Sequence, residues 1–541
     1  MKKKTLDILS KKGLWLVAAS LFFLWLFFLK PYAETVIRIP SPEYEHIRKF
    51  YLWIIRLGCG FLLFMGACLW IKKKQSLWIY PAAVIGLGLF YMMVLPPFSV
   101  PDEAVHFVSA YRLSSQIMGK PATADKDFYD QATQEEKELI EKGGSVLVRK
   151  QDAMDYPYPD VDRNSYDLIL KGFFTRDTSE GVTVREEIPV NNMPLVYLPQ
   201  ALGIVLARLL HVGYIPLIYF GRLFNLLAFA GMSLLAVKLM PFKKEVIMAV
   251  SCLPMTLHLA ASLSYDTMII GLSMIFLAWV FYLAYEKEKI TVKDVILLAL
   301  ILVILEPVKI VYLPMAGICL LIPAAKFPSK KHYWLSVAAV VIVMIAAIYL
   351  VNKVVLTAWT THSDYYLAWD EAAGNTAGYT LQDVFTNPYD TMLVYYETLV
   401  TQFDYYQATM LGAFLGNLDP SLTVPYFCLF LLWGVLFIVS VRREGETVPV
   451  KKGQKLWILV LIFLSVVLVL TSMFLGWTPR GYTYITGIQG RYFLPLLPFL
   501  LILLFDRNLT IGKDFRKGAF YVECFISIYS LIRICSIACI R

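Results

Sequence analysis

Pro96-Pro97-Phe98-Ser99-Val100-Pro101-Asp102-Glu103-Ala104-Val105-His106-Phe107 directly follows an apolar run at 77–95. A run of that length can cross a bilayer. Three prolines within six residues then stop the helix. Asp102, Glu103 and His106 follow at once, so acidic and imidazole groups stand where the chain leaves the apolar layer. The rest of the chain is read as holding this stretch in place or facing it.

Of the 541 residues, 58% are hydrophobic and only 17% charged, which excludes an ordinary soluble globular protein and points to a polytopic membrane protein. The aromatic share of 15% suits interfacial belts and sugar- or lipid-facing surfaces. The net charge of +9 falls in short clusters between apolar runs, a pattern of topology and not of nucleic-acid binding. Cys59, Cys68, Cys252, Cys319, Cys428 and Cys524 lie inside apolar runs, and Cys535 and Cys539 close the last one. They read as small packing residues, since no CxxC pair or zinc spacing occurs. Met1-Lys-Lys-Lys and the apolar run behind it read as a retained signal anchor, because Lys30-Pro31-Tyr32 follows in place of a small-residue cleavage site.

Two rules lay out the chain: about 20 apolar residues per span, and lysine and arginine on the inner side. They predict an all-α polytopic protein of about thirteen transmembrane helices. The spans run at 14–29, 50–71, 77–96, 216–237, 246–262, 267–285, 292–306, 310–325, 333–352, 423–441, 455–475, 491–505 and 519–538. The linker at 30–48 sits outside despite its basic residues. Two large outer loops, 97–215 and 353–422, carry surface helices. In the first, acids outnumber bases, residues 103–119 read as a helix along the membrane surface, and 194–212 is assigned to the outer interface. The second includes weakly apolar surface helices at 388–415. Three parts result: a two-span extension at 1–75, a transmembrane module at 76–510, and a last span within 511–541. No phosphate loop, dinucleotide fingerprint or zinc motif occurs, and the inner loops are too short for a nucleotide-binding domain.

On this layout the outer face gathers Asp102, Glu103, His106, Asp266, Lys309, Arg480 and Arg491. Cations there neutralise phosphate oxygens and stabilise a departing phosphate. A carboxylate can deprotonate an attacking hydroxyl. A polyprenyl-phosphate-linked sugar fits that set. Simpler readings stand beside it. Asp102 and Glu103 suit a helix N-terminus, Asp266 suits the cap of a span, and His106 suits a hydrogen-bonded structural role. Lys309 can snorkel to the interface. Arg491 follows Gly487-Ile488-Gln489-Gly490, where glycines let the backbone approach a ligand.

At these residues the chain resembles a known family. The carrying motifs are Pro101-Asp102-Glu103-x-x-His106-Phe107, Ser262-x-Ser264-x-Asp266 and Lys309-x-x-Tyr312, then Leu415-Gly416-Asn417-Leu418-Asp419, and Gly487-Ile488-Gln489-Gly490-Arg491-Tyr492-Phe493-x-Pro495. Together they look like the bacterial membrane proteins of domain of unknown function 2142, over about residues 80–505. The last motif is the most specific. That family in turn resembles the GT-C glycosyltransferases, multi-spanning enzymes that use polyprenyl-phosphate sugar donors. The resemblance implies that Asp102 is the base or acceptor-orienting carboxylate. It also implies that 194–212 stays on the outer surface and that Arg222 opens the next span. The chain departs from many superfamily members by placing two spans before the one that leads into the Asp-Glu loop.

The expectation is therefore a glycosyltransferase of the bacterial plasma membrane with an outward-facing site. It would move sugar from a polyprenyl-phosphate donor to a cell-envelope glycan or polymer, such as teichoic acid, among membrane lipids and without nucleic acid. Asp102 and Glu103 are the catalytic candidates. His106, Arg222, Asp266, Lys309, Tyr312, Arg480, Gln489, Arg491 and Tyr492 are the substrate-binding candidates. Asp102, Glu103 and Asp266 are the candidates for a divalent cation, whose oxygen ligands suit magnesium or manganese. The rival functions are a transporter or flippase of lipid-linked sugars and a non-enzymatic envelope assembly protein. A transporter would place charges at the midplane on broken helices, and the spans show few internal charges.

Overall fold

The computed structural model describes residues 2–31, 44–70, 77–141, 145–153, 160–176, 179–185, 193–360 and 379–541. Most of the expected outer linker at 30–48, the lysines at 72–74 and the centre of the second outer loop lie outside the described residues.

The described chain is predominantly helical. Among the described residues, six helices are long and apolar enough to cross a membrane: α2 (Glu45–Trp70), α6 (Tyr214–Leu239), α9 (Asp266–Phe281, with a π turn running on to Glu286), α11 (Lys330–Thr360, apolar over Lys330–Lys353), α14 (Lys452–Trp477) and α15 (Arg516–Ile540). In α11 only 11% of the apolar window is buried in the protein. An apolar helix so exposed must meet another apolar phase, and the bilayer supplies it.

The remaining expected crossings are shorter or broken. Helix α1 (Lys2–Leu24) runs on through a π turn to Leu29, α3 covers Ile79–Val94, α10 Val292–Val308 and α13 Tyr426–Ser440. Proline accounts for the breaks. Pro254 divides the stretch at 246–262 into α7 (Lys244–Cys252) and α8 (Pro254–Ala260). Pro314 lies in the Ile310–Leu321 segment, which winds as a tight 3-10 helix, and Pro495 and Pro498 shorten the stretch at 491–505.

The first large loop folds against the bundle. Helix α4 (Glu103–Ile117) is buried along one side and packs on α5 (Leu198–Leu209). With the turn Pro194–Tyr197 before it, α5 forms an apolar stretch shorter than the six long helices. Arg208 of α5 donates to the Ser114 and Ser115 hydroxyls at 2.8 and 2.9 Å, locking the pair together. An antiparallel two-stranded ribbon, β1 (Val146–Arg149) with β2 (Val182–Arg185), lies beside α4 and was not expected from the sequence. In the second loop, α12 (Pro388–Leu411) is one continuous helix.

The core is formed where α3 meets α6, α8 and α15, and where α6 meets α9. Tyr91, Phe229, Leu257, Phe276 and Ile528 are buried there. This packing holds the Pro96–Pro101 turn against the turn that opens α9.

Candidate functional site

Helix α3 ends at Leu95 because Pro96 and Pro97 follow, and the turn brings Phe98 and Asp102 into the left-handed region, at φ 65° and 60°. Asparagine and aspartate tolerate that region best among non-glycine residues. Asp102 occupies the N-cap position of α4, but its side chain accepts no helix amide. The capping reading therefore fails at Asp102. Its carboxylate turns instead to Arg491, whose Nη2 donates to Oδ2 at 2.5 Å. Half of the Asp102 side chain stays exposed, whereas Arg491 is buried.

Arg491 is presented from the opposite side by a tight turn at Gly490–Phe493. A Cβ on Gly490 would lie 2.1 Å from the Tyr406 carbonyl oxygen and 2.3 Å from the Met410 nitrogen. The glycine thus admits the backbone of α12, and the Gly490 amide donates to Thr409 Oγ1 at 2.9 Å. This corrects the expectation that the glycines make room for a ligand. Tyr312 fixes the next residue, its hydroxyl donating to the Tyr492 carbonyl at 2.7 Å.

Asp266 completes the cluster. Lys309 Nζ donates to its Oδ1 at 2.7 Å, and Arg491 Nη1 approaches its Oδ2 at 3.5 Å. Lys309 also lies over the rings of Tyr492 and Tyr265, at 4.5 and 5.4 Å from their centres. His106 forms the floor: its Nδ1 is 3.1 Å from the Tyr197 hydroxyl, and its ring meets Tyr265 edge-on at 5.0 Å. Burial lowers the imidazole to about 4, so His106 is neutral near pH 7. Burial opposes ionisation of Asp102, but Arg491 outweighs it and holds that carboxyl below the ordinary carboxylate value.

Glu103 is one residue from Asp102 and has a different environment. Its side chain is wholly buried in a two-point pair with Arg222: Nε donates to Oε1 at 2.7 Å and Nη2 to Oε2 at 2.5 Å. Arg222 also donates to the carbonyls of Leu95 and Pro96, each at 2.7 Å, and Glu103 Oε1 accepts the Leu263 amide at 3.0 Å. One buried clasp therefore ties the end of α3, the proline turn and the turn before Asp266. It leaves Glu103 and Arg222 with no surface to offer a substrate. They act on the site by positioning it.

The clasp region also holds two polar residues that the sequence motifs do not include. Asn225 donates to the carbonyls of Ser262 and Ser264 and to Thr267, at 2.7 to 3.1 Å, and Gln200 donates to the carbonyls of Leu263 and Ser264 at 3.3 Å. Asn225 follows Arg222 by three residues, on the same face of an apolar helix, and that spacing was the available signal.

The structure thus brings Asp102, His106, Asp266, Lys309, Tyr312, Arg491 and Tyr492 together. Arg480 pairs with Asp383 at 2.7 Å beside Tyr379, in a second cluster around Phe474. Gln489 precedes the Arg491 turn with its amide oxygen buried and unpartnered. The Leu415–Asp419 motif packs behind the proline turn, where Gly416 approaches Ser99, and Asp419 is held by Arg541.

The donor set does not fit a divalent cation. Asp102 and Asp266 already face Arg491 and Lys309, whose charge would repel a metal ion, and Glu103 is enclosed by Arg222. Among the described residues no group of three or more metal-ligating side chains forms. The arrangement instead suits an anion. Arg491 has Nε and Nη1 buried without a hydrogen-bond partner, Nη1 only facing Asp266 at 3.5 Å, and Lys309 pairs with that same Asp266.

No curated protein matches the chain, and no solved structure does. The family described as Predicted membrane protein (DUF2142) matches residues 85–500, from within α3 to within the last short helix before the basic loop, and includes every residue of the cluster. The chain belongs to this family of membrane proteins, DUF2142.

Proposed function

We propose that the chain is a GT-C-like glycosyltransferase that crosses the bacterial plasma membrane about thirteen times, by length and charge rules, with its site facing outward. Its donor is a polyprenyl-phosphate-linked sugar and its acceptor a hydroxyl of a cell-envelope glycan or polymer. The carrying observation is that Arg491 spans Asp102 and Asp266 while keeping unpartnered donors of its own.

The chemistry follows from that arrangement. A phosphate entering beside Lys309 takes up the free Arg491 donors, and bidentate guanidinium pairing favours it. Arg491 then shares its charge, and the Asp102 carboxylate becomes more basic. Asp102 accepts the proton of the acceptor hydroxyl as that oxygen attacks the anomeric carbon. The bond from that carbon to the phosphate oxygen breaks, and Lys309 and Arg491 stabilise the departing phosphate. His106 stays neutral and, with the buried Tyr197 and Tyr265 rings, backs the wall from which Lys309 and Asp266 face the phosphate.

The experiment is binding of a polyprenyl-phosphate sugar to the purified chain in detergent. Lys309→Ala and Arg491→Ala should weaken binding strongly, and Asp102→Asn should retain it. Unchanged binding in both cation variants would remove the reading.

A further inference from the structure

A second polar cluster lies inside the bundle, away from the Asp102 site. Glu523 is on α15, seven residues and about 10 Å beyond Arg516 at that helix's basic end. It lies within the last expected span, 519–538. It is wholly buried, and neither carboxyl oxygen has a hydrogen-bond partner. The titratable groups around it are the Tyr80 and Tyr91 phenols of α3, the Cys252 thiol of α7 and its own neighbour Cys524. Among the described residues no lysine or arginine faces it.

Two tyrosines of α3 lie within electrostatic reach of this carboxyl. The Tyr80 hydroxyl is set beside Ser233 and Ser251, and the Tyr91 hydroxyl beside Ser527. The hydroxyls of Tyr80, Tyr91 and Ser527 are buried and without a partner of hydrogen-bond geometry. Beyond Tyr91, the His258 ring stands 6.4 Å from the phenol ring, with both nitrogens buried and unpartnered. His258 is on α8, on the side that faces Arg222 and Arg491. Tyr80 and Tyr91 are eleven residues apart, so the hydroxyls cover about 16 Å of helix.

Buried polar atoms in proteins are nearly always satisfied, and small polar spaces are satisfied by water. An intramembrane acid without a cation is costly as an anion and has to carry a proton. A leucine would fill the same space without that cost, so the acid contributes a group that binds protons. Glu306 is a second buried and unpartnered acid.

We propose that Glu523 is an intramembrane proton-binding site, served by a water-bridged run of hydroxyls through Tyr80, Ser527 and Tyr91 that leads toward His258. Proton uptake forms one O–H bond on the Glu523 carboxylate and breaks one O–H bond of a hydronium ion. Release reverses both. The site is separate from the transfer chemistry proposed above and does not depend on it.

Two measurements on the full chain in detergent test it. The first treats the protein with dicyclohexylcarbodiimide near neutral pH and maps adducts by mass spectrometry. That reagent adds to a protonated carboxyl, the acid proton passing to the carbodiimide nitrogen as the C–O bond forms. The Glu523 peptide should carry the adduct in the wild type and not in Glu523→Gln. The second follows the protonated-carboxyl C=O band by infrared spectroscopy after a jump to alkaline pH. Glu523→Gln should lack a component of that band. Tyr91→Phe and Tyr80→Phe should keep it and slow its disappearance by about tenfold, the consequence of removing one bridging donor. An unmodified Glu523 in folded protein that becomes modified on unfolding would overturn the binding site. Wild-type kinetics in both tyrosine variants would overturn the hydroxyl run.

Discussion

Arg491 Nη2 lies 2.5 Å from Asp102 Oδ2, joining residues 389 positions apart in the chain. The same guanidinium reaches Asp266 at 3.5 Å through Nη1. Three distant segments converge on one planar cation, and Asp102 is the most exposed group among them. A planar fork can serve two carboxylates and a phosphate at once, and an ammonium cannot.

Arg491→Lys therefore separates shape from charge. The charge stays, but the two-sided contact is lost. Sugar transfer should fall by about 10²-fold or more, as when a preorganised donor is removed from a reacting oxyanion. Transfer rates in membranes with matched protein levels measure it. An unchanged rate would mean that charge alone suffices.

The Glu103–Arg222 clasp predicts a stability result. Removing one partner of a wholly buried pair leaves an uncompensated charge and costs about 3–5 kcal/mol. Glu103→Ala and Arg222→Ala should each lower the unfolding midpoint sharply in detergent. The double variant Glu103→Leu with Arg222→Met should recover much of the loss. A double variant as unstable as the sum of the two single variants would show that the carbonyl contacts of Arg222, and not the pair, supply the stability.

His106 gives a pH dependence. Its folded value is about 4 against 6.5 for an unperturbed imidazole, because burial disfavours the charged form. Between those values the unfolded chain binds more protons, so stability rises with pH. The contribution is complete above pH 6.5 and is lost as pH falls toward 4, about 3 kcal/mol in all. Unfolding midpoints measured from pH 7 to pH 4 should fall more steeply in the wild type than in His106→Gln. Parallel curves would place the ring in contact with solvent.

Gly490→Ala tests the seat of Arg491. The added methyl meets the Tyr406 carbonyl and the Met410 nitrogen of a packed helix. Overpacking of this kind costs about 1–3 kcal/mol. It should also displace Arg491, so carrier-lipid binding should drop more than stability does. Normal binding and stability would show that the turn can move without consequence.

Much of this arrangement was legible in the sequence, and the misses have physical causes. Charge and apolar length pointed to a membrane protein, and the short motifs named the residues that meet: Asp102, Asp266, Lys309, Tyr312, Arg491 and Tyr492. Composition could not separate Asp102 from Glu103, because adjacent residues differ by about 100° around a helix and only packing decides which faces outward. It could not divide binding from positioning either: Arg222 and Tyr312 have donors suited to substrates, and the fold uses them on Glu103 and the Tyr492 carbonyl. Span boundaries blurred where Pro254, Pro314 and Pro498 interrupt apolar runs whose average hydropathy hides the break. Glu523 was invisible for the same reason, as one acid within 25 otherwise largely apolar residues of α15.

The proposed role of Asp102 is to accept a proton during sugar transfer from a lipid phosphate. It is tested most directly by reconstituting wild type and Asp102→Asn in vesicles and presenting a radiolabelled polyprenyl-phosphate sugar with cell-envelope polymer. The wild type should incorporate label into the polymer. Asp102→Asn should bind the donor yet transfer about 10²- to 10⁴-fold more slowly, the usual contribution of a positioned base. Equal transfer by both proteins, with equal insertion in the membrane, would rule out Asp102 as the base.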